Sequence, residues 1–203
     1  MRGMTKIILV RHGETETNKN QRLHQTDDTQ GLNVRGREQI EKTAAKIKMY
    51  APAVIYSSPE NRAVQTAQII GRVCGLAVRI LAGIRERNWG KLSGKPWSEI
   101  QSILDKMSLD ERFNYAPSNG ESWKEFEQRL ISALDEVVNR HQGKTIVMVS
   151  HAGAIRALIP HLLQIPREAS FRYDPANASL SIFEYDGRRY KKILLNETSH
   201  LED

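Results

Sequence analysis

Three short polar clusters stand directly behind apolar runs. Arg11-His12-Gly13-Glu14 follows Ile7-Ile8-Leu9-Val10. Ser57-Ser58, and then Arg62, follow Val54-Ile55-Tyr56. Ser150-His151-Ala152-Gly153 follows Thr145-Ile146-Val147-Met148-Val149. Guanidinium groups stay charged at every relevant pH and hold phosphate oxygens through paired N–H groups. A neutral imidazole is a competent nucleophile toward phosphorus. Brought together, Arg11, Arg62 and the two imidazoles would bind a phosphoryl group and attack it. One histidine would act as nucleophile and the other would grip the phosphoryl oxygens. The backbone amides of Ala152 and Gly153, at the start of a predicted helix, add a further attraction for an anion. The departing oxygen needs a proton. Glu86, in the loop Arg85-Glu86-Arg87-Asn88-Trp89-Gly90, is the candidate acid, and Glu14 is its local competitor.

The elements that must position these groups follow from hydrophobic periodicity. The runs at 7–10, 54–56 and 145–149 are β-branched and continuous, the pattern of strands buried on both faces. A shorter strand is expected within 76–81. Asn33 caps a helix that runs to Met49 and is closed by Pro52. Ser58 and Pro59 open the next helix, with Ala63, Ala67, Ile70 and Val73 as its stripe. Helices are expected at 97–107, at 122–140 with Trp123, Phe126, Leu130, Leu134, Val137 and Val138 inward, and from Ala152 to Leu163. The segments 15–31 and 107–120 show no period and read as loop and irregular chain. Asp186-Gly187 joins strands at 180–185 and 188–195 into a hairpin. Alternating strands and helices predict an α/β fold, a three-layer sandwich with a mostly parallel central sheet, an antiparallel edge and helices on both faces. Ligands of such sheets sit beyond the carboxyl ends of the strands, where all three clusters fall.

At these residues the chain resembles the histidine phosphatase superfamily, the phosphoglycerate mutase-like proteins. The first block is Leu9-Val10-Arg11-His12-Gly13-Glu14-Thr15 with Asn18. The second is Ser57-Ser58-Pro59, Arg62-Ala63 and Gln65-Thr66-Ala67. Glu86 with Gly90 and Gly94, Gly120-Glu121-Ser122, Val149-Ser150-His151-Ala152-Gly153 through Arg156, and Asn177-Ala178-Ser179 complete the ordered set. The resemblance implies that His12 becomes phosphohistidine and that Arg11, Arg62 and His151 complete the phosphate pocket. It implies that Asn18 contacts the phosphate and that Glu86 is the general acid that later helps activate water. It implies neither metal nor other cofactor. Two departures stand out: Ala152 where the family commonly has glycine, and the loop from Gln25 to Leu32. The pattern Ser150-His151-x-Gly153-x-Ile155-Arg156 is similar to the phosphatase branches. The expected partner is therefore a small phosphorylated metabolite, and the alternative activity is a cofactor-dependent phosphoglycerate mutase. Substrate choice is expected to lie in segments 83–120 and 21–32.

Composition narrows the alternatives. The chain has 203 residues, 39% of them hydrophobic and 27% charged, which suits a single globular domain over 1–203. The segment at about 83–121 reads as an insertion within that domain. No apolar run approaches the ~20 residues that cross a bilayer, so no membrane partner is expected. The net charge of +6 is spread along the chain, which argues against nucleic acid. Its densest basic cluster, Arg188 to Lys192, suits an edge strand. Cys74 stands alone, so no internal disulfide forms and a cytoplasmic location is expected. A metallohydrolase built on His12 and His151 is disfavoured by the arginines, which repel cations. A non-catalytic binding module is disfavoured by the complete residue set. His24, His141, His161 and His200 read as structural or surface groups. Trp89 and Trp97 flank the expected pocket mouth. The chain is expected to be a monomer or a homodimer.

Overall fold

The computed structural model describes residues 3–25 and 29–202. Thr26, Asp27 and Asp28, in the divergent loop, lie outside the described residues. Six strands form one sheet: β1 (Thr5–Arg11), β2 (Val54–Ser57), β3 (Val78–Ile80), β4 (Thr145–Ser150), β5 (Leu180–Tyr185) and β6 (Tyr190–Glu197). Their order is β3-β2-β4-β1-β5-β6. The first four are parallel, β5 is antiparallel to β1, and β6 is antiparallel to β5. The expected mixed sheet with an antiparallel edge is therefore present.

Alternation along each strand divides the core. Ile7, Leu9, Tyr56, Ile146 and Met148 face one side and meet Phe126, Leu130, Leu134 and Leu158. These belong to α6 (Trp123–Arg140) and α7 (Ala152–Leu163). Ile8, Val10, Ile55, Val147 and Val149 face the other side and meet Ile40, Ala44, Ile47, Ala63, Ala67 and Ile70. These lie on α2 (Val34–Lys48) and α3 (Asn61–Cys74). Buried on both faces, β1 and β4 need the continuous apolar runs that the sequence shows. The result is three layers. Each fully buried Leu, Ile or Phe adds about 1.5–3 kcal/mol of burial free energy, so these two clusters fix the sheet.

Register decides where the strands end. Arg11 pairs with Ser150, and Ser57 pairs with Val149. The residues after β1, β2 and β4 thus emerge nearly flush at one edge. The chain leaves β1 toward α2 on one face and leaves β4 toward α7 on the other. Neighbouring strands with oppositely directed connections open a crevice between them.

Several local expectations need correction. Segment 15–31 holds a short helix, α1 (Glu16–Lys19), capped by Thr15 in a reciprocal box with Asn18. Four residues are too few to show a period. Segment 107–120 holds α5 (Leu109–Asn114), capped by Ser108 with Glu111, after α4 (Trp97–Leu104). The helix after Asn33 ends at Lys48, before Pro52. Ser58 does not cap α3. Its N-cap is Glu60, which makes no side-chain capping bond, because the Ser58 hydroxyl and the Glu60 carboxylate are both engaged with His151. The second hairpin arm runs from Tyr190 rather than Arg188, and Lys191 and Lys192 are exposed on this edge strand.

One buried hydroxyl ties the turn after β1 to α3. Thr66 Oγ1 accepts the Gly13 N–H at 3.2 Å and donates to the Arg62 carbonyl at 2.8 Å. Thr66→Val keeps the shape but leaves that amide without its acceptor. Urea denaturation is expected to show a loss of about 1–3 kcal/mol, the cost of an unsatisfied buried donor. A loss under about 0.5 kcal/mol would show that the turn is held by other bonds.

Candidate active site

His12 leaves β1 with its backbone pinned on both sides. Its N–H donates to Ser150 O at 3.0 Å, and its carbonyl accepts from Ala178 N at 3.2 Å and Asn177 Nδ2 at 3.1 Å. Its ring nitrogen Nδ1 lies 2.8 Å from the Gly13 carbonyl. A carbonyl can only accept, so Nδ1 carries the proton and Nε2 keeps its lone pair. The ring is 3% exposed. Burial, then Arg62, His151 and Arg11, hold this imidazole well below its ordinary value. At neutral pH it is an uncharged base with a fixed orientation.

His151, at the N-terminus of α7, packs against it with ring centroids 5.1 Å apart. Its Nε2 lies 2.8 Å from Ser58 Oγ and 3.2 Å from Glu60 Oε2. Its Nδ1 is buried and has no hydrogen-bond partner among the described residues. Burial and the Arg62 charge lower its pKa. Burial opposes ionisation of Glu60, but hydrogen bonds from His151 and Ser58 outweigh it and hold that carboxyl at about 2. Glu60 is thus the charged member of the pair and His151 the neutral one.

The cations come from two elements. Arg62, on the first turn of α3, is 3% exposed. Arg11, at the end of β1, donates to Pro175 O at 2.6 Å, while its Nε is buried without a hydrogen-bond partner among the described residues. Burial lowers Arg11 to about 10, which leaves it charged at neutral pH.

Glu86 reaches the same place from the loop after β3. Its carboxylate accepts Gly153 N–H at 3.0 Å and Arg87 N–H at 2.8 Å. The loop is anchored by Ser150 Oγ on Ile84 O at 2.7 Å, and by Arg129 Nη1 on Gly83 O at 2.9 Å. The anion expected at the Gly153 amide is therefore Glu86 itself, and Ala152 lines the cleft beside it. Gly153 has to be glycine for this approach, since a Cβ there would stand 2.4 Å from Glu86 Oε1.

Arg11, His12, Asn18, Arg62, Glu86 and Ala152 all line one cleft of about 1190 Å³. His151 sits beneath it, packed on His12. Asn18 holds its Oδ1 toward Thr15 Oγ1 and Asn177 Nδ2 at 3.0 and 3.2 Å. Glu14 belongs elsewhere, since it binds Asn33 Nδ2 at 2.9 Å at the start of α2. Three cleft residues escaped the sequence reading. His24 lines the cleft, with its ring 5.8 Å from His12 and its Nε2 3.0 Å from Thr15 Oγ1. Burial and Arg62 push it down to about 3. Glu60 carries no motif of its own, and Arg87 braces the outer wall with its guanidinium 4.2 Å above the Trp89 ring. Trp89 is nearly buried and meets Trp97 edge-on, and both line the cleft.

Comparisons with known proteins show the family. The profile of the histidine phosphatase superfamily, branch 1, matches residues 7–198, and the chain belongs to that superfamily. It is 33% identical over 204 residues to phosphoserine phosphatase 1 of Hydrogenobacter thermophilus, across 98% of this chain and 95% of that one. It is 32% identical over 205 residues to phosphoglycerate mutase-like protein 4 of Arabidopsis thaliana, across 98% of this chain and 87% of that one. The crystal structure of a phosphoserine phosphatase mutant from Entamoeba histolytica in complex with phosphoserine matches with a TM-score of 0.85 at 28% identity, across 97% of this chain and 99% of that chain.

Two buried imidazoles and a half-buried one make the fold acid-sensitive. His12, His24 and His151 are all held below the ordinary value of 6.5, so the unfolded chain binds more protons than the folded one below that pH. Their contribution is complete above about pH 6.5 and falls as acid is added, by about 1.4 kcal/mol per pH unit for each group. For His24 the fall continues toward about pH 3. Urea midpoints measured from pH 7 to 5 are expected to drop, and to drop less steeply in His24→Gln.

Proposed function

We propose that this phosphomonoester hydrolase works through a phosphohistidine on His12, with Glu86 as general acid. One observation carries the reading: His12 Nδ1 is committed to Gly13 O, which leaves Nε2 as the nucleophilic nitrogen beside Arg11, Arg62 and His151. Nε2 attacks phosphorus in line. The P–O bond to the substrate breaks, and its oxygen takes a proton from Glu86. Arg11, Arg62, His151 and the Ala152 amide hold the equatorial oxygens, where transition-state charge is spread. Glu86, now a carboxylate, takes a proton from water, whose oxygen attacks the phosphohistidine. Inorganic phosphate leaves and His12 is regenerated. Fixed positive charge does the electrostatic work, and the scheme uses no metal or other cofactor.

The substrate we infer is a small phosphorylated metabolite with a further polar or charged group. The cleft beyond the phosphate pocket supports this, since Arg22, Arg112 and Arg172 line it together with Asp105 and Asp174. The similar proteins named for phosphoserine point the same way. Segment 83–121 supplies Trp89, Trp97 and Arg112 to that outer wall, and we assign specificity to it. A cofactor-dependent phosphoglycerate mutase is the less favoured reading. The cytoplasm is the location we propose, on the strength of the lone Cys74. A monomer or a homodimer would serve the scheme equally.

Hydrolysis of para-nitrophenyl phosphate between pH 5 and 8, with EDTA present, tests the reaction. His12→Ala is expected to lose about 10³-fold or more in kcat, as removal of a nucleophile does elsewhere. Rapid acid-free quenching is expected to trap label on His12 in the wild type. Undiminished hydrolysis by the variant would overturn the role of His12. Gly153→Ala tests Glu86 separately. Its methyl displaces the acid, and a misplacement of about 1 Å costs about 10²-fold in kcat. Glu86→Gln tests the acid itself, and an unchanged kcat in that variant with an intact fold would remove Glu86 from the mechanism.

A further inference from the structure

Glu60 is an ionised side chain beside a phosphate pocket, and the mechanism above does not use it. One carboxylate oxygen, Oε2, contacts His151 Nε2 at 3.2 Å and takes the Ser58 hydroxyl. The other lies 4.0 Å from Arg85 Nε. A bare carboxylate here would repel a phosphoryl group. It is tolerable if a positive charge stands between the two anions, and His151 is the group in that position.

The geometry decides which nitrogen does what. Ser58 Oγ donates to Glu60 Oε2, so its oxygen is free to accept from His151 Nε2–H. Both partners of Nε2 therefore call for a proton on Nε2. Nδ1, buried and without a hydrogen-bond partner among the described residues, is then the basic nitrogen of this ring. Five charged or titratable groups face His151 from the surrounding elements, one of them the His24 ring, which opposes its protonation when charged. Arg62 on α3 and the His12 ring after β1 oppose its protonation when charged. Glu60 before α3 and Glu86 after β3 favour it. A phosphoryl group adds negative charge to this set and tips the balance.

We propose that Glu60 is a positioning residue for His151, fixing the ring with Nε2–H toward Glu60 and Ser58 and stabilising the imidazolium that forms when Nδ1 takes a proton from an arriving phosphate monoanion. The proton moves from a phosphate oxygen to Nδ1, and the phosphoryl group becomes a dianion held by the N–H so formed. The proposal rests on the phosphatase reading for its catalytic consequence, but its binding step stands apart from turnover.

Two measurements test it. The first is the pH dependence of kcat/KM for para-nitrophenyl phosphate in wild type, Glu60→Gln and Glu60→Asp. The Gln variant is expected to move the alkaline limb down by about one pH unit, the lower end of the effect of a close opposite charge. Its deficit then widens from pH 5 to 8, and Asp restores part of the limb. A deficit constant across pH would show a merely structural role and overturn the proposal. The second is imidazole ¹⁵N NMR of wild type, assigned with His12→Ala and His151→Ala and titrated with inorganic phosphate. His151 is expected as the Nε2–H tautomer in the free enzyme and doubly protonated with phosphate. The opposite tautomer, or no protonation on phosphate binding, would overturn the proposal even if the variants do not fold. If wild type binds phosphate in this way yet hydrolyses nothing, the phosphatase reading fails and the role of Glu60 in binding stands.

Discussion

Arg11 and Arg62, set beside buried imidazoles at one edge of a sheet, impose the constraint to which the rest of the site answers. Burial strips solvent from the charges and strengthens their mutual repulsion. Neighbouring histidines respond by staying neutral, as His12, His24 and His151 do. Neutrality is what a nucleophile needs. The cations that join burial in keeping the proton off His12 would also hold the group that it attacks. In the proposed scheme one electrostatic arrangement prepares the nucleophile, selects an anionic ligand and lowers the barrier to transfer.

Such repulsion has to be held by something stiffer than side chains, and the sheet supplies it. The register of Arg11 with Ser150, and of Ser57 with Val149, brings three strand ends level. Two apolar clusters clamp β1 and β4 from both faces, so those ends cannot slide. A shift of one residue would turn every core side chain of β1 toward the wrong helices. The stability of the layers and the precision of the pocket are therefore one property. The backbone bonds behind His12, accepted from Asn177 and Ala178 and donated to Ser150, extend this rigidity to the His12 ring.

Much of this was legible in the sequence because its causes are local or periodic. The apolar runs at β1, β2 and β4 are short, rich in β-branched residues and closed by polar turns, and the helices of the core carry full stripes. The placement of Arg11, His12, Arg62 and His151 then follows from topology alone. What escaped has a physical explanation. The helix α5 was announced by Ser108 and Glu111 at capping-box spacing, but it is too short to show a stripe. The neighbours of Ser58 permit a cap, but its hydroxyl is engaged by a long-range bond to His151. His24 and Glu60 owe their roles to contacts across the fold, at sequence separations of 9 to Thr15 and 91 to His151. No spacing rule reports such contacts.

The two carboxylates of the pocket show how partners divide labour between like groups. Glu86 is met by two backbone amides, of Gly153 and Arg87. Those amides place it without supplying a mobile proton, so any proton it exchanges must come from the cleft. In the proposed scheme the substrate oxygen takes that proton and a water molecule returns one. Glu60 is met by a hydroxyl and an imidazole, and its partner ring can gain a second proton. The first setting suits a group that trades protons with the reacting atoms. The second suits one that steadies charge on a neighbour. The Gly153 backbone, with no side chain to intervene, is what lets the first carboxylate reach the helix at all. The chemistry that separates the two acids thus depends on a missing methyl group on one side and a ring nitrogen on the other.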